Sequence, residues 1–192
     1  MTRFETAINL FDTYNRQDPH QLSWEGNTYP AEYFYALKLY EWVTSLEPSA
    51  GESLLLASRS QHIGRWKTPR SVYPDGKAGY LNWRKDLARF HASTAGELMQ
   101  QAGYQKPEIE PVKHIILKED LRYDREVQVM ENALCLVFLQ YQFADFLQKH
   151  EDDKIVHILK RTWKKMTTPG HEAAALLQFD ERGQRLLHMA LG

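Results

Sequence analysis

The stretch Gly79-Tyr80-Leu81-Asn82-Trp83-Arg84-Lys85-Asp86-Leu87-Ala88-Arg89-Phe90-His91-Ala92-Ser93-Thr94-Ala95-Gly96-Glu97-Leu98-Met99-Gln100-Gln101-Ala102-Gly103 decides the fold class. Trp83, Leu87, His91, Ala95, Leu98 and Ala102 recur every three or four residues, which puts them on one stripe of a helix. Gly103 offers the left-handed residue that commonly ends one. The same periodicity governs the chain on either side. Upstream, Phe4, Ile8, Phe11 and Tyr14 mark a first helix closed by Asp18-Pro19. Tyr35, Leu39, Trp42 and Leu46 mark a second after Pro30, and Ser49 with Glu52 reads as a capping box for a third over about 51–63. Between the first two, Trp24-Glu25-Gly26-Asn27 is a turn signal for one very short hairpin near 21–29. Downstream, Pro107 opens a short helix, Asp124 caps a long one reaching about His150, Asp152 or Asp153 starts the next, and Thr168-Pro169 begins a final pair. The expectation is an all-α chain of about seven to nine helices forming a single helical domain over 1–192, with no repeat and no linker.

Composition narrows the function classes. The 192 residues are 43% hydrophobic and 26% charged, which suits a folded domain with a sizeable core, and the formal net charge is −1. The field of the whole molecule therefore draws in neither nucleic acid nor acidic membranes, and a basic site has to be local. The single cysteine, Cys135, allows no internal disulfide and suits a reducing compartment. Met1 to Glu5 leads straight into the first helix without an apolar segment, so a cytoplasmic protein with no membrane partner is expected.

Polar residues on otherwise apolar stripes locate the site. His91 lies within the Trp83–Ala102 stripe, and His62 follows Leu55 and Ser58 at the same spacing. On the long helix, Glu131 and Asp145 share a face with Val127, Leu134, Phe138 and Tyr141. A buried carboxylate needs a partner, a hydrogen bond or a metal. His62, His91 and Glu131 from three helices could thus ligate a divalent metal, or form a hydrogen-bonded core network; both readings stand. A second cluster is cationic and aromatic: Arg65, Trp66, Arg70, Tyr73, Tyr80, Trp83 and Arg84 fall within twenty residues. Guanidinium groups hold phosphate or carboxylate bidentately, and aromatic rings stack on bases or on guanidiniums. The alternative is a surface loop pinned by Arg–aromatic stacking. Lys118 either joins this rim or complements the dipole of its helix. Lys160, Arg161, Lys164 and Lys165 around Trp163 read as a solvated helix face, or as a docking surface for RNA or a partner.

Three stretches carry a resemblance over nearly the whole chain: Ala57-Ser58-Arg59-Ser60-Gln61-His62-Ile63-Gly64-Arg65-Trp66, Gly79-Tyr80-Leu81-Asn82-Trp83-Arg84, and Thr162-Trp163-Lys164-Lys165-Met166. With Pro69-Arg70, Phe90-His91-Ala92 and Glu126-Val127-Gln128 through Glu131-Asn132, they make the chain similar to a bacterial and fungal family known only as domain of unknown function 4202. That family usually has Glu-Asp where this chain has Glu131-Asn132. More distantly, the helical order resembles the HD-type metal-dependent phosphohydrolases. Gln61-His62 stands where their His-Asp pair ends a helix, His91 leads the next histidine helix, His114 falls near a further histidine, and Glu131 near the last acid. Their first histidine is missing, with Glu32 or Tyr35 at that point. This resemblance implies an HD-like bundle with an altered metal set, or a site that has exchanged metal for Arg and Lys charge.

His62-Ile63-Gly64-Arg65 and Lys165-Met166-Thr167 imitate the two signatures of class I aminoacyl-tRNA synthetases. The first of these follows a parallel strand in such enzymes, whereas here it ends a helix, which argues against that activity. No Gly-rich phosphate loop, zinc knuckle or Gly-flanked nucleophilic Ser is present. The leading expectation is a metal-dependent hydrolase of a phosphorylated or nucleotide-like small molecule. In it His62, His91 and Glu131 hold the metal, Glu131 and Lys118 serve the chemistry, and Arg65, Trp66, Arg70, Tyr80, Trp83 and Arg84 bind substrate. The alternative is a non-catalytic module that binds a small anionic ligand; the third is an RNA or protein interaction module.

Overall fold

The computed structural model describes all 192 residues, and their contacts gather into two compact units, Met1–Asp120 and Leu121–Gly192. The first unit begins with α1 (Arg3–Asn15), whose N-cap Thr2 and N3 residue Glu5 close a capping box. A hairpin follows, β1 (Gln21–Trp24) antiparallel to β2 (Asn27–Pro30), joined by Glu25 and Gly26 with both φ values positive, as a tight hairpin turn of this twist requires. Then come α2 (Ala31–Leu46), α3 (Glu52–Ser60), α4 (Gly76–Gln101) and α5 (Lys106–Leu117). The second unit holds α6 (Arg125–Val137), a π-helical turn (Phe138–Gln142), α7 (Phe143–Lys149), α8 (Asp152–Lys165), α9 (Thr168–Ala175) and α10 (Glu181–Leu191). The chain is all-α apart from the hairpin, and no helix is long and apolar enough to cross a membrane.

Each unit buries its own core. In the first, α3 packs on α1, α2 and α5, and α4 packs on α5, around Phe11, Phe34, Leu54, Leu56, Ile63, Met99 and Ile115. In the second, α6 packs on α8 and α9, and α8 on α10, around Met130, Leu136, Phe143, Ile155, Leu159 and Leu186. Each such side chain contributes roughly 1.5–3 kcal/mol by leaving water. Arg59 adds a bidentate pair to Asp12, at 2.7 and 2.9 Å, that ties α3 to α1.

Three expectations change. Ten α-helices replace seven to nine, because the helix expected from Asp124 to His150 is divided by the π-helical turn. That wider turn shifts the helical phase: Glu131 is buried on the expected face, but Asp145 is exposed. The Ser49–Glu52 capping box is not made. The N-cap of α3 lies two residues later, at Gly51; the Ser49 hydroxyl donates to Glu47, and Glu52 accepts from the Tyr104 hydroxyl at 2.6 Å.

Candidate functional site

The site is built where α3 ends. After Ser60 the chain makes one more turn through Gln61, His62 and Ile63 and then reverses at Gly64, whose φ is 68°. A Cβ at Gly64 would lie 2.8 Å from the Tyr14 ring and 2.9 Å from the Phe90 ring, so both the backbone angle and the close approach require glycine. The Asn15 side-chain oxygen accepts from the Gly64 N–H at 3.3 Å and anchors the reversal to α1. Arg65, Trp66 and Lys67 follow as a single 3₁₀ turn.

His91, buried on α4, meets this turn: the Ile63 carbonyl accepts from its Nδ1 at 2.7 Å. A carbonyl only accepts, so Nδ1 carries the proton and Nε2 presents a lone pair, which is buried without a partner. The Gln61 side-chain oxygen is likewise buried and unpartnered, while its NH₂ donates to the Ile116 carbonyl. The His62 and His91 rings stand 5.7 Å apart, tilted by 55°. Burial pushes His91 down to about 4 and outweighs the raising effect of its bond to Ile63. His62 is driven well below the ordinary histidine range, first by burial and then by the charge of Arg65, by His91 when it is protonated, and by the charges of Lys118 and Arg84. Both imidazoles are neutral at neutral pH.

Around them cations and rings alternate. The Arg65 guanidinium lies 5.5 Å from the Trp83 ring centre, Trp83 is 5.9 Å from Tyr80, and Arg84 lies 5.9 Å from Tyr80. Trp83 is oriented by its indole N–H, which donates to the Thr68 carbonyl at 2.9 Å. Lys118 closes α5 in a left-handed conformation at its C-cap, as its helix-end placement suggested, and its charge also reaches His62. The other rim candidates have structural work. Arg70 donates to the Tyr73 and Pro74 carbonyls, each at 2.9 Å, and so staples its own loop. Trp66 packs against Tyr14.

One residue of this site escaped the motif reading. Glu32, in the first turn of α2, has Oε1 3.8 Å from Arg65 Nε. The hairpin delivers it: Asp18, buried before β1, accepts from the Glu32 backbone N–H at 2.9 Å and from the His20 N–H and ring Nδ1 at 3.0 and 2.8 Å. Asp18 thereby caps α2, whose own N-cap residue is Pro30. Burial raises Glu32 to about 7; Arg65 and His20 oppose this and Asp18 adds to it. Glu32, Asn15, Tyr35, Ser58 and His62 line a small cavity with room for about one water molecule. The visible signal was a lone acid in the aromatic run Tyr29 to Tyr35, placed where the HD-type resemblance lacks a histidine.

The remaining candidates have partners of their own. Glu131 belongs to the second unit, where it is buried and pairs with Lys165 Nζ at 3.2 Å. His114 pairs with Glu119 at 3.1 Å. Within the first unit no third His, Cys, Asp or Glu joins His62 and His91, and within the second none gathers around Glu131 into a group able to hold a metal ion. The departure at Asn132 has a structural account: its oxygen accepts from the Thr167 N–H at 3.0 Å and its NH₂ donates to the Thr167 hydroxyl at 2.8 Å, clamping the start of α9. Trp163 stacks on His171 at 4.1 Å, nearly parallel, so one ring face is already covered. The His62-Ile63-Gly64-Arg65 signature closes a helix, in a chain whose one sheet is the antiparallel hairpin.

A family model described as Domain of unknown function (DUF4202) matches residues 5–187. No curated protein and no solved structure matches the chain.

Proposed function

The chain belongs to this family of unknown function, and we propose that it is a binding protein for a small phosphorylated ligand, held by Arg65, Arg84 and Lys118 beside His62. The observation that carries this reading is the ladder in which Arg65 lies over Trp83 and Arg84 over Tyr80. A guanidinium stacked on a ring keeps its N–H edge for a bidentate anion, and the ring is left to stack on the rest of the ligand. Lys118 adds a third positive charge acting at the same imidazole. A cytoplasmic setting fits the lone, buried Cys135.

Metal-dependent hydrolysis, which the HD-type resemblance suggests, would need a third ligand beside His62 and His91. The gathered cations favour binding over that chemistry. Calorimetric titration with inorganic phosphate and with a nucleoside monophosphate tests the reading. Saturable binding that Arg65→Gln and Arg84→Gln each weaken by about tenfold, equivalent to about 1.4 kcal/mol, is the expected result. Binding unchanged in both variants would overturn it.

A further inference from the structure

Resting on that reading, we infer that Glu32 selects the ligand: its carboxylate competes with any occupant for Arg65, so the site favours doubly charged phosphate-monoester ends over singly charged carboxylates and diesters. The geometry is that of an exchangeable partner. At 3.8 Å, the Arg65 Nε to Glu32 Oε1 separation is an ion pair and not a hydrogen bond. The Arg65 side chain is 41% exposed and that of Glu32 13%, so the guanidinium is open to solvent beside a largely covered acid. A carboxylate tethered this close acts at a very high effective concentration. A free monoanion replacing it gains no charge–charge advantage. A dianion gains a second charge against Arg65, Arg84 and Lys118, which all act at His62.

The displaced carboxylate is then left in a costly place. The groups facing it are Arg65 from the turn after α3, Asp18 and His20 from the segment before β1, and Asn15, Tyr35, Ser58 and His62 around the small cavity. Once Arg65 is satisfied by the ligand, burial and the negative charge of Asp18 both favour the neutral acid. Glu32 therefore takes one proton from solvent as the dianion enters, and its carboxyl group remains beside the cavity as a hydrogen-bond donor. The pair Glu32–Arg65 thus works as an internal competitor that sets a threshold of charge for entry.

Sulfate and methyl sulfate test this cleanly, because they share a tetrahedral oxyanion head, carry two charges and one, and do not titrate between pH 6 and 9. Titrated calorimetrically into the full chain at pH 8, sulfate should bind about tenfold more tightly than methyl sulfate. Repeating the sulfate titration in buffers of different ionisation enthalpy should reveal uptake of about one proton. In Glu32→Gln, methyl sulfate should bind more tightly, the gap should shrink to roughly threefold or less, and proton uptake should vanish. An unchanged preference in Glu32→Gln, or wild-type sulfate binding without proton uptake, would overturn the inference while leaving the anion site standing. Absence of sulfate binding to the wild type at both pH 6 and pH 8 would overturn the site itself. Should Glu32→Gln fail to fold, the proton uptake of the wild type decides alone.

Discussion

His91 Nδ1 stands 2.7 Å from the Ile63 carbonyl oxygen, and this bond settles which ring nitrogen carries the proton. It also joins α4 to the reversal that presents His62 and Arg65, so one side chain ties the helix to the site.

The first consequence is acid sensitivity. Folded His91 titrates at about 4 and His62 well below its ordinary value, so below about pH 6.5 the unfolded chain binds protons that the folded chain does not. Each histidine then removes about 1.4 kcal/mol of stability per pH unit as pH falls. Glu32, raised from 4.5 to about 7, acts in the opposite sense over much the same window. Urea unfolding at pH 6.5, 6 and 5 should show a net loss of about 1.4 kcal/mol per unit. His91→Gln, which keeps a donor for Ile63, should nearly flatten the profile. A wild-type profile without slope would refute the neutral pair.

Glu32→Gln should be stabilising at alkaline pH. An acid whose folded value is raised costs stability once pH exceeds its unfolded value, and the full cost is present above about 7. The variant should therefore match the wild type near pH 4.5 and exceed it by up to about 3 kcal/mol at pH 8. Thermal unfolding at the two pH values measures this. A loss of stability at pH 8 would mean that the Arg65 pair outweighs burial.

Gly64→Ala should be destabilising by about 2 kcal/mol or more, since the new methyl meets the Tyr14 and Phe90 rings and the backbone keeps a positive φ. Phosphate affinity should fall with it, because Arg65 directly follows the displaced residue and His62 lies two residues before it. Stability equal to the wild type, measured by urea unfolding, would show that the reversal is not held as tightly as its contacts imply.

Metal content separates binding from hydrolysis. Elemental analysis of protein purified without added metal should find no stoichiometric transition metal. A stoichiometric ion that disappears in His91→Ala would restore the hydrolase reading.

Helical periodicity made the helices legible, because stripes such as Trp83 to Ala102 repeat over several turns; Glu25-Gly26 was equally plain as a hairpin turn. The closeness of His62 to His91 was legible too, since the first continues the stripe of α3 into the turn beyond it and the second interrupts the apolar stripe of α4. What stayed hidden depended on phase or on distant contacts. One π-helical turn moved Asp145 off the expected face, and spacing alone carries no sign of such a turn. Arg70 looked like a ligand-binding arginine, but its use depends on carbonyl positions three and four residues away. Glu32 reaches Arg65 only through the hairpin and the Asp18 cap, a relationship between segments that no local motif encodes.

The most direct test of the anion site is to follow the arginine Nε–Hε resonances by NMR while titrating inorganic phosphate, with assignments from Arg65→Lys, Arg84→Lys and Arg70→Lys. The expected result is that the Arg65 and Arg84 signals shift together and saturate with one Kd, while Arg70, held by the Tyr73 and Pro74 carbonyls, stays still. Saturating binding that leaves Arg65 and Arg84 unmoved, or no saturation at all, would contradict it.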